Sequence, residues 1–238
     1  MLPDAQKLYD VIDGTWPAAS TQTLGPWRIR DGRGGGQRVM ATVATGPFTD
    51  ADIPTAETAM NALNQPDIFM IRDGDTALDA ALAARGYPIV DPVNLYVIPT
   101  AQLATERPPR VTAFCVWPPL AIQHDIWAKG GIRAERIDIM RRAKGPKTTI
   151  IGRLNDHPSG TAYVAIHDGI AMLHALEILP HQRKQGMGVY AMRQAAFWAQ
   201  DNGATHFSVC CTKANIGANA LYTSLGMSLV GQYYYRRK

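Results

Sequence analysis

Residues 170–203 carry the pattern that most restricts what this chain can become. The apolar run 170–178 reads as a strand, residues 180–188 as a polar, glycine-bearing loop, and residues 188–202 as an amphipathic helix. Val189, Met192, Ala196 and Ala199 fall on one stripe of that helix, and Gly203 suits its C-terminal cap. The loop itself reads Arg183-Lys184-Gln185-Gly186-Met187-Gly188. A helix N-terminus presents unpaired N–H groups and the positive end of the helix dipole, so an anion such as a pyrophosphate binds there. Glycines let the backbone come close to phosphates. Their spacing here is not that of a Rossmann fingerprint or a P-loop, which argues against dinucleotide and nucleoside triphosphate ligands.

The rest of the second half extends this unit. Residues 111–117 read as a strand closed by Pro118 and Pro119, and residues 119–142 as helix interrupted at Gly130-Gly131. Strands follow at 147–154, 160–167 and 170–178, with turn chemistry at 155–160 and 167–169. Beyond the helix come a strand at 205–211, a short helix at 217–225 stopped by Gly226, and one or two strands at 227–236.

The first half ends in the same order. At a constant offset of 140, Gly86 falls on Gly226, Val90 on Val230 and Ala80 on Ala220. A strand (68–72), a helix (75–85) and a strand (88–98) recur, and a helix at 50–63 matches the one at 188–202. Residues 99–110, with Pro99, Pro108 and Pro109, read as the link between the halves. Gly34-Gly35-Gly36 reads as a flexible turn before a strand.

The loop has a family resemblance. Residues 173–227 resemble the cofactor-binding core of the GNAT superfamily of N-acetyltransferases. The family's Arg/Gln-x-x-Gly-x-Gly/Ala is met by residues 183–188. Its Asn-x-x-Ala-x-x-Leu-Tyr-x-x-Leu-Gly-Phe is met by Asn215, Ala218, Leu221, Tyr222, Leu225 and Gly226, with Met227 in place of the aromatic. The resemblance implies an α/β (α+β) fold with a mixed, mostly antiparallel sheet flanked by helices. The offset makes it two tandem GNAT-like units: a degenerate one at 1–105 and a catalytic one at 106–238.

The resemblance also implies roles. Acetyl-coenzyme A would be the cosubstrate. The backbone of Arg183, Lys184, Gln185, Gly186, Met187 and Gly188 would cradle its pyrophosphate. The strand ending at Ile178 and Leu179 would splay from strand 205–211, and the pantetheine arm would pair along it as an added strand does. A backbone N–H near Ile178 would polarise the thioester carbonyl. Asn215 would bond near the cofactor or help open the gap, and Tyr222 would protonate the leaving thiolate. Each has a plainer reading: Arg183 as a surface residue, Tyr222 as a core aromatic, Asn215 as a helix cap. For the base, His174 and Glu177 compete with a water chain or a first-half residue. They are three apart, so a regular strand puts them on opposite faces, and only a bulge unites them.

At the repeat offset the first half offers Val43-Ala44-Thr45-Gly46-Pro47-Phe48 for the loop and Leu82 for Tyr222. It is expected to bind no cofactor and to brace the second half or wall the acceptor.

The net charge of +4 is concentrated in residues 133–153. Without interleaved aromatics this reads as a solvated face, not a nucleic-acid surface. The expected acceptor is a small-molecule or peptide amine; a homodimer stays open, and no His/Cys spacing suggests a metal. No apolar run is long enough to span a membrane. The charged N-terminus is not a secretory signal, and three cysteines (Cys115, Cys210, Cys211) fit a reduced, cytoplasmic protein. The competing functional class is a catalytically silent acyl-coenzyme A-binding module.

Overall fold

A computed structural model describes all residues, Met1–Lys238. Helix α1 (Ala5–Thr15) opens the chain, followed by strands β1 (Ser20–Leu24) and β2 (Trp27–Asp31), helix α2 (Gln37–Met40) and strand β3 (Val43–Ala44). Then come α3 (Ile53–Ala62), β4 (Ile68–Arg72), α4 (Thr76–Ala84), β5 (Ile89–Pro99) and α5 (Thr100–Leu103). The second half runs β6 (Ala113–Val116), α6 (Ala121–Lys129), α7 (Ala134–Arg142), β7 (Lys147–Leu154), β8 (His157–His167) and β9 (Ile170–Ile178). It ends with α8 (Met187–Asp201), β10 (His206–Thr212), α9 (Ile216–Ser224) and β11 (Ser228–Arg237). No helix is long and apolar enough to cross a membrane.

One eight-stranded sheet takes strands from both halves, in the order β4-β11-β5-β10-β9-β8-β7-β6. Only β9 and β10 pair in parallel, so the sheet is mixed and mostly antiparallel. The halves interleave: β11 lies between β4 and β5, and β5 lies between β11 and β10. The registers obey the sequence offset of 140. Ile89 faces Arg236 as Leu229 faces Tyr96, and Ile68 faces Arg237 as Ser208 faces Val97. Helices α4 and α9 keep the same offset end to end. The point between residues 105 and 106 separates α5 from β6, and the sheet runs on across it.

Strand alternation assigns the faces. Ala171 and Leu173 of β9 share a core with Met187, Met192 and Ala195 of α8. Ile170 and Met172 share one with Leu8, Tyr9 and Ile12 of α1. Helices α1 and α8 therefore lie on opposite faces. A third cluster joins the halves, with Trp16 and Val39 packed beside Trp127, Met140 and Tyr163. A fully buried side chain of this size contributes about 1.5–3 kcal/mol, so this seam is structural and not incidental.

Several sequence expectations change. The β7–β8 turn is only Asn155-Asp156, both left-handed (φ 50 and 63), and the strand resumes at His157 despite Pro158 and Gly160. Helix 50–63 starts with a 3-10 turn at Asp50–Asp52. The proposed link 99–110 begins with a helical turn whose Leu103 is buried. The glycines at 34–36 lead into the one-turn helix α2, not a strand. The basic residues of 133–153 scatter: Arg141 pairs with Asp138 at 3.0 Å, Arg153 with Asp156 at 2.9 Å, and Lys147 Nζ donates to the Arg141 carbonyl at 2.7 Å.

Candidate active site

Strands β9 and β10 pair from Ile170/His206 to Leu173/Val209 and then part. The cause lies in β9. Opposite β8, Tyr163 faces His174 and Thr161 faces Glu177, so Ala162 alone faces two residues, Ala175 and Leu176. That is a β-bulge. Ala175 takes a left-handed conformation (φ 53), held by Trp127 Nε1 donating to its carbonyl at 2.8 Å. Meanwhile β10 stays paired with β5 as far as Thr212. One strand bends away while its neighbour is fixed, which opens a notch beside residues 175–178.

Past the notch the chain turns onto α8. Pro180–Gln182 form a 3-10 turn, and Arg183 folds back, with Nε donating to the Ile178 carbonyl at 2.9 Å and Nη2 to Glu177 Oε1 at 3.1 Å. Lys184 (φ 60) and Gly186 (φ 86) are both left-handed. A Cβ at Gly186 would also sit 3.3 Å from the Tyr190 ring, so glycine is needed there twice over. The N–H groups of residues 184–189 donate to no backbone carbonyl. No acidic residue lies in the first turn of α8. Unpaired donors, a fifteen-residue helix behind them and the cation Lys184 suit a pyrophosphate. Met187 differs from its loop neighbours. It is buried against Gly152, where a Cβ would lie 2.6 Å from its sulfur, so its side chain belongs to the core.

Helix α9 stands over the same end of β10. Asn215 accepts from the Ala218 N–H at 3.1 Å, so its side chain caps the helix. Tyr222 is buried with its ring centroid 5.8 Å from that of Tyr96. Burial, then the neighbouring thiols Cys211 and Cys210, push its pKa up, and no protein group bonds its hydroxyl. It stays protonated throughout the neutral range. Asn219, which carries no sequence signal, ties the helix down. Its Nδ2 donates to the Thr212 carbonyl at 3.0 Å, and its Oδ1 accepts from Asn94 Nδ2 at 2.8 Å and Tyr96 OH at 2.9 Å.

The bulge places His174 and Glu177 on the same face. His174 packs on Trp16 and Tyr163 beside α1, and Glu177 lies against Gly130 at the end of α6. The Thr15 hydroxyl donates to the Val11 carbonyl at 2.6 Å, so at 2.8 Å it accepts from His174 Nε2–H. The other nitrogen, Nδ1, accepts from Arg38 Nη1 at 3.3 Å. Burial, then Arg38, hold His174 well below its ordinary pKa, so it is neutral.

His174 and Ala175 line an open cavity of about 250 Å³ with Trp16, Arg38, Arg136 and Thr212. It meets the notch where β9 leaves β10, and both halves of the chain wall it. Arg38 carries no signal in the sequence because its segment has no periodicity, and the glycines before it read there only as a turn. Tyr235 lines the cavity, Tyr233 OH accepts from Arg38 Nε at 3.2 Å, and Tyr234, between them in sequence, sits on the opposite side beside Asp79.

Residues 117–227 match the family described as "Acetyltransferase (GNAT) family". Over its whole length the chain is 25% identical to all of an uncharacterized N-acetyltransferase, YobR, of Bacillus subtilis. It is 24% identical, over 56% of its length, to 94% of an aminoglycoside N(6')-acetyltransferase type 1 of Klebsiella aerogenes. Among solved structures, a GCN5-related N-acetyltransferase from Kribbella flavida superposes with a TM-score of 0.75 at 22% identity, covering 100% of this chain and 96% of the other. A tandem GNAT protein from the clavulanic acid biosynthesis pathway superposes with a TM-score of 0.59 at 11% identity, covering 83% and 75%.

Proposed function

We propose that the chain, whose residues 117–227 match the acetyltransferase (GNAT) family, transfers an acetyl group from acetyl-coenzyme A directly to an amine within a ternary complex. The observation that carries this reading is the parting of β9 from β10 beside a helix-start loop whose N–H groups at 184–189 are unpaired. Acetyl-coenzyme A supplies the acyl group, activated as a thioester. The loop backbone binds its pyrophosphate, with Lys184 adding charge and Arg183, paired with Glu177, holding the loop in shape. Residues 176–178 offer a strand edge to the pantetheine, and the backbone N–H near Ile178 stabilises charge on the carbonyl oxygen. Leu179, buried behind them, fixes the strand end. Asn215 acts indirectly, by capping the helix that carries Tyr222. Tyr222 holds the proton that the departing sulfur needs.

The incoming amine must be neutral. His174 is poorly placed to take its proton, because its Nδ1 accepts from Arg38 and a charged imidazole would face that guanidinium. Glu177 has one oxygen on Arg183 and the other against Gly130. We assign Glu177 to bracing the loop and His174 to orienting Arg38. Two guanidiniums beside the cavity disfavour an ammonium there, so the proton leaves to solvent before attack. The three free thiols suit a reducing, cytoplasmic setting.

The test is release of free thiol from acetyl-coenzyme A by purified protein, screened across amino acids, peptides, polyamines and aminoglycosides. Acceptor-dependent release is expected for one class. Coenzyme A binding without release from any class would leave only a binding module.

A further inference from the structure

The cavity between the halves carries more positive charge than its own walls answer. Arg38 reaches in from α2. Two of its N–H groups are spent on neutral acceptors, Tyr233 OH at 3.2 Å and His174 Nδ1 at 3.3 Å. These fix its orientation without cancelling its charge. Arg136 reaches in from α7 and lies over Gly36, where a Cβ would be 3.4 Å from Nη2. It has no protein hydrogen bond or ion pair, and its pKa is lowered by burial and by Arg38. Other arginines in the body of the fold do have carboxylates: Arg30 with Asp13 at 2.7 Å, Arg72 with Asp75 at 3.2 Å, Arg236 with Asp79 at 2.6 Å. The cavity's one carboxylate is Asp91, at the exposed rim, where it accepts from Gln37 Nε2 at 2.9 Å.

We propose that the acceptor is a small amine bearing a carboxylate, of the α-amino acid type, with the carboxylate held between Arg38 and Arg136 and the amine directed to the notch between Ala175 and Thr212. This rests on the acyl-transfer reading above for the fate of the amine, though not for the binding of the carboxylate. Partly buried guanidiniums with no counter-ion are costly, and a planar, bidentate oxyanion relieves that cost best. The cavity is small beside those that hold drug-sized ligands. Polyamines and aminoglycosides would bring further positive charge against two cations, so they fit it badly. The arrangement also explains His174: its protonated Nε2 faces Thr15, which leaves Nδ1 as the acceptor that aims Arg38.

The experiment compares the common L-amino acids with their carboxamides, and with spermidine and kanamycin, by thiol release. Calorimetric titration of the same compounds runs in parallel without acetyl-coenzyme A. At least one amino acid should exceed its carboxamide about tenfold or more in kcat/KM, since a site built to bond a group rejects analogues that lack it. In Arg136→Met that ratio should fall toward one through KM, and amino-acid affinity should drop about tenfold; Arg136→Lys should recover part of both. Carboxamides as good as acids, or faster turnover of spermidine or kanamycin, would overturn the proposal. Loss of thiol release and coenzyme A binding together would instead count against the acyl-transfer reading. In that case the titration still decides, and a wild-type protein that binds no amino acid overturns the inference.

Discussion

Position 222 is a tyrosine on α9, and its counterpart 140 residues earlier on α4 is Leu82, fully buried. The same substitution of packing for chemistry recurs along the two halves. Where α8 begins with Met187-Gly188, the first half has Pro47-Phe48, and Phe48 packs on Trp27 with ring centroids 5.3 Å apart. Proline removes a donor from the loop, and Phe48 puts a ring where Gly188 has no side chain and Leu221 would lie 3.1 Å from an added Cβ. The turn that follows starts with Asp50 and Asp52, whereas the first turn of α8 has no acid. Its Thr49 N–H is already satisfied by Asp52 Oδ2 at 2.7 Å. Thr212, at the open end of β10, corresponds to Arg72, whose Nη2 donates to the Ala44 carbonyl at 2.6 Å and so spans β4 and β3. Even the bond from strand to helix is kept with new chemistry: Tyr96 to Asn219 on one side, Arg236 to Asp79 on the other. On the reading proposed above, the cradle depends on what is left out, and the first half puts packing side chains, Phe48 and Leu82, at the positions of Gly188 and Tyr222.

The sharpest way to break this comparison is a charge placed at equivalent loop positions. Gly186→Glu should abolish coenzyme A binding, because a carboxylate would face the pyrophosphate. Gly46→Glu, at a position with open space around its Cβ, should leave affinity unchanged. Calorimetry on both variants, with thermal melts to confirm folding, reads the contrast; equal effects would dissolve it.

The next contrast exchanges chemistry for stability. Tyr222→Phe should cut turnover about a hundredfold or more while coenzyme A affinity holds. Leu82→Ala should cost about 2–5 kcal/mol of stability with little change in turnover per folded molecule. A Tyr222→Phe enzyme within about threefold of wild type would make Tyr222 a packing residue like its counterpart.

A smaller effect tests the seam. His174 of the second half is held neutral against Thr15 and Arg38 of the first, with its folded pKa below the ordinary value. Above the unfolded pKa, about 6.5, the imidazole is neutral folded or unfolded and costs nothing. As pH falls below it the unfolded chain binds a proton that the folded chain resists, so stability drops by up to about 1.4 kcal/mol per pH unit. His174→Gln should flatten the denaturation profile between about pH 6.5 and pH 5. An unchanged slope would mean that the histidine is not insulated.

Much of this plan was legible in the sequence, for reasons that also mark its limit. The strand, loop and helix of residues 170–203 and the offset of 140 are local signals, and α4 and α9 follow the offset end to end. Which strand sits beside which is decided by long-range pairing, so periodicity gave no hint that β5 and β11 interleave the halves. The bulge at Ala175 depends on Trp127, 48 residues away, and without it His174 and Glu177 read as opposite-facing. Arg38 sits in a four-residue helix, too short to show a pattern, and Arg136 looked like one more charge in a basic run.

We propose that one plan, used twice, has kept its cofactor cradle only once. Native mass spectrometry of the whole chain titrated with coenzyme A tests this most directly. Saturation is expected at one molecule per chain, lost in Gly186→Glu and retained in Gly46→Glu. Two molecules per chain, or one that survives Gly186→Glu, would contradict it.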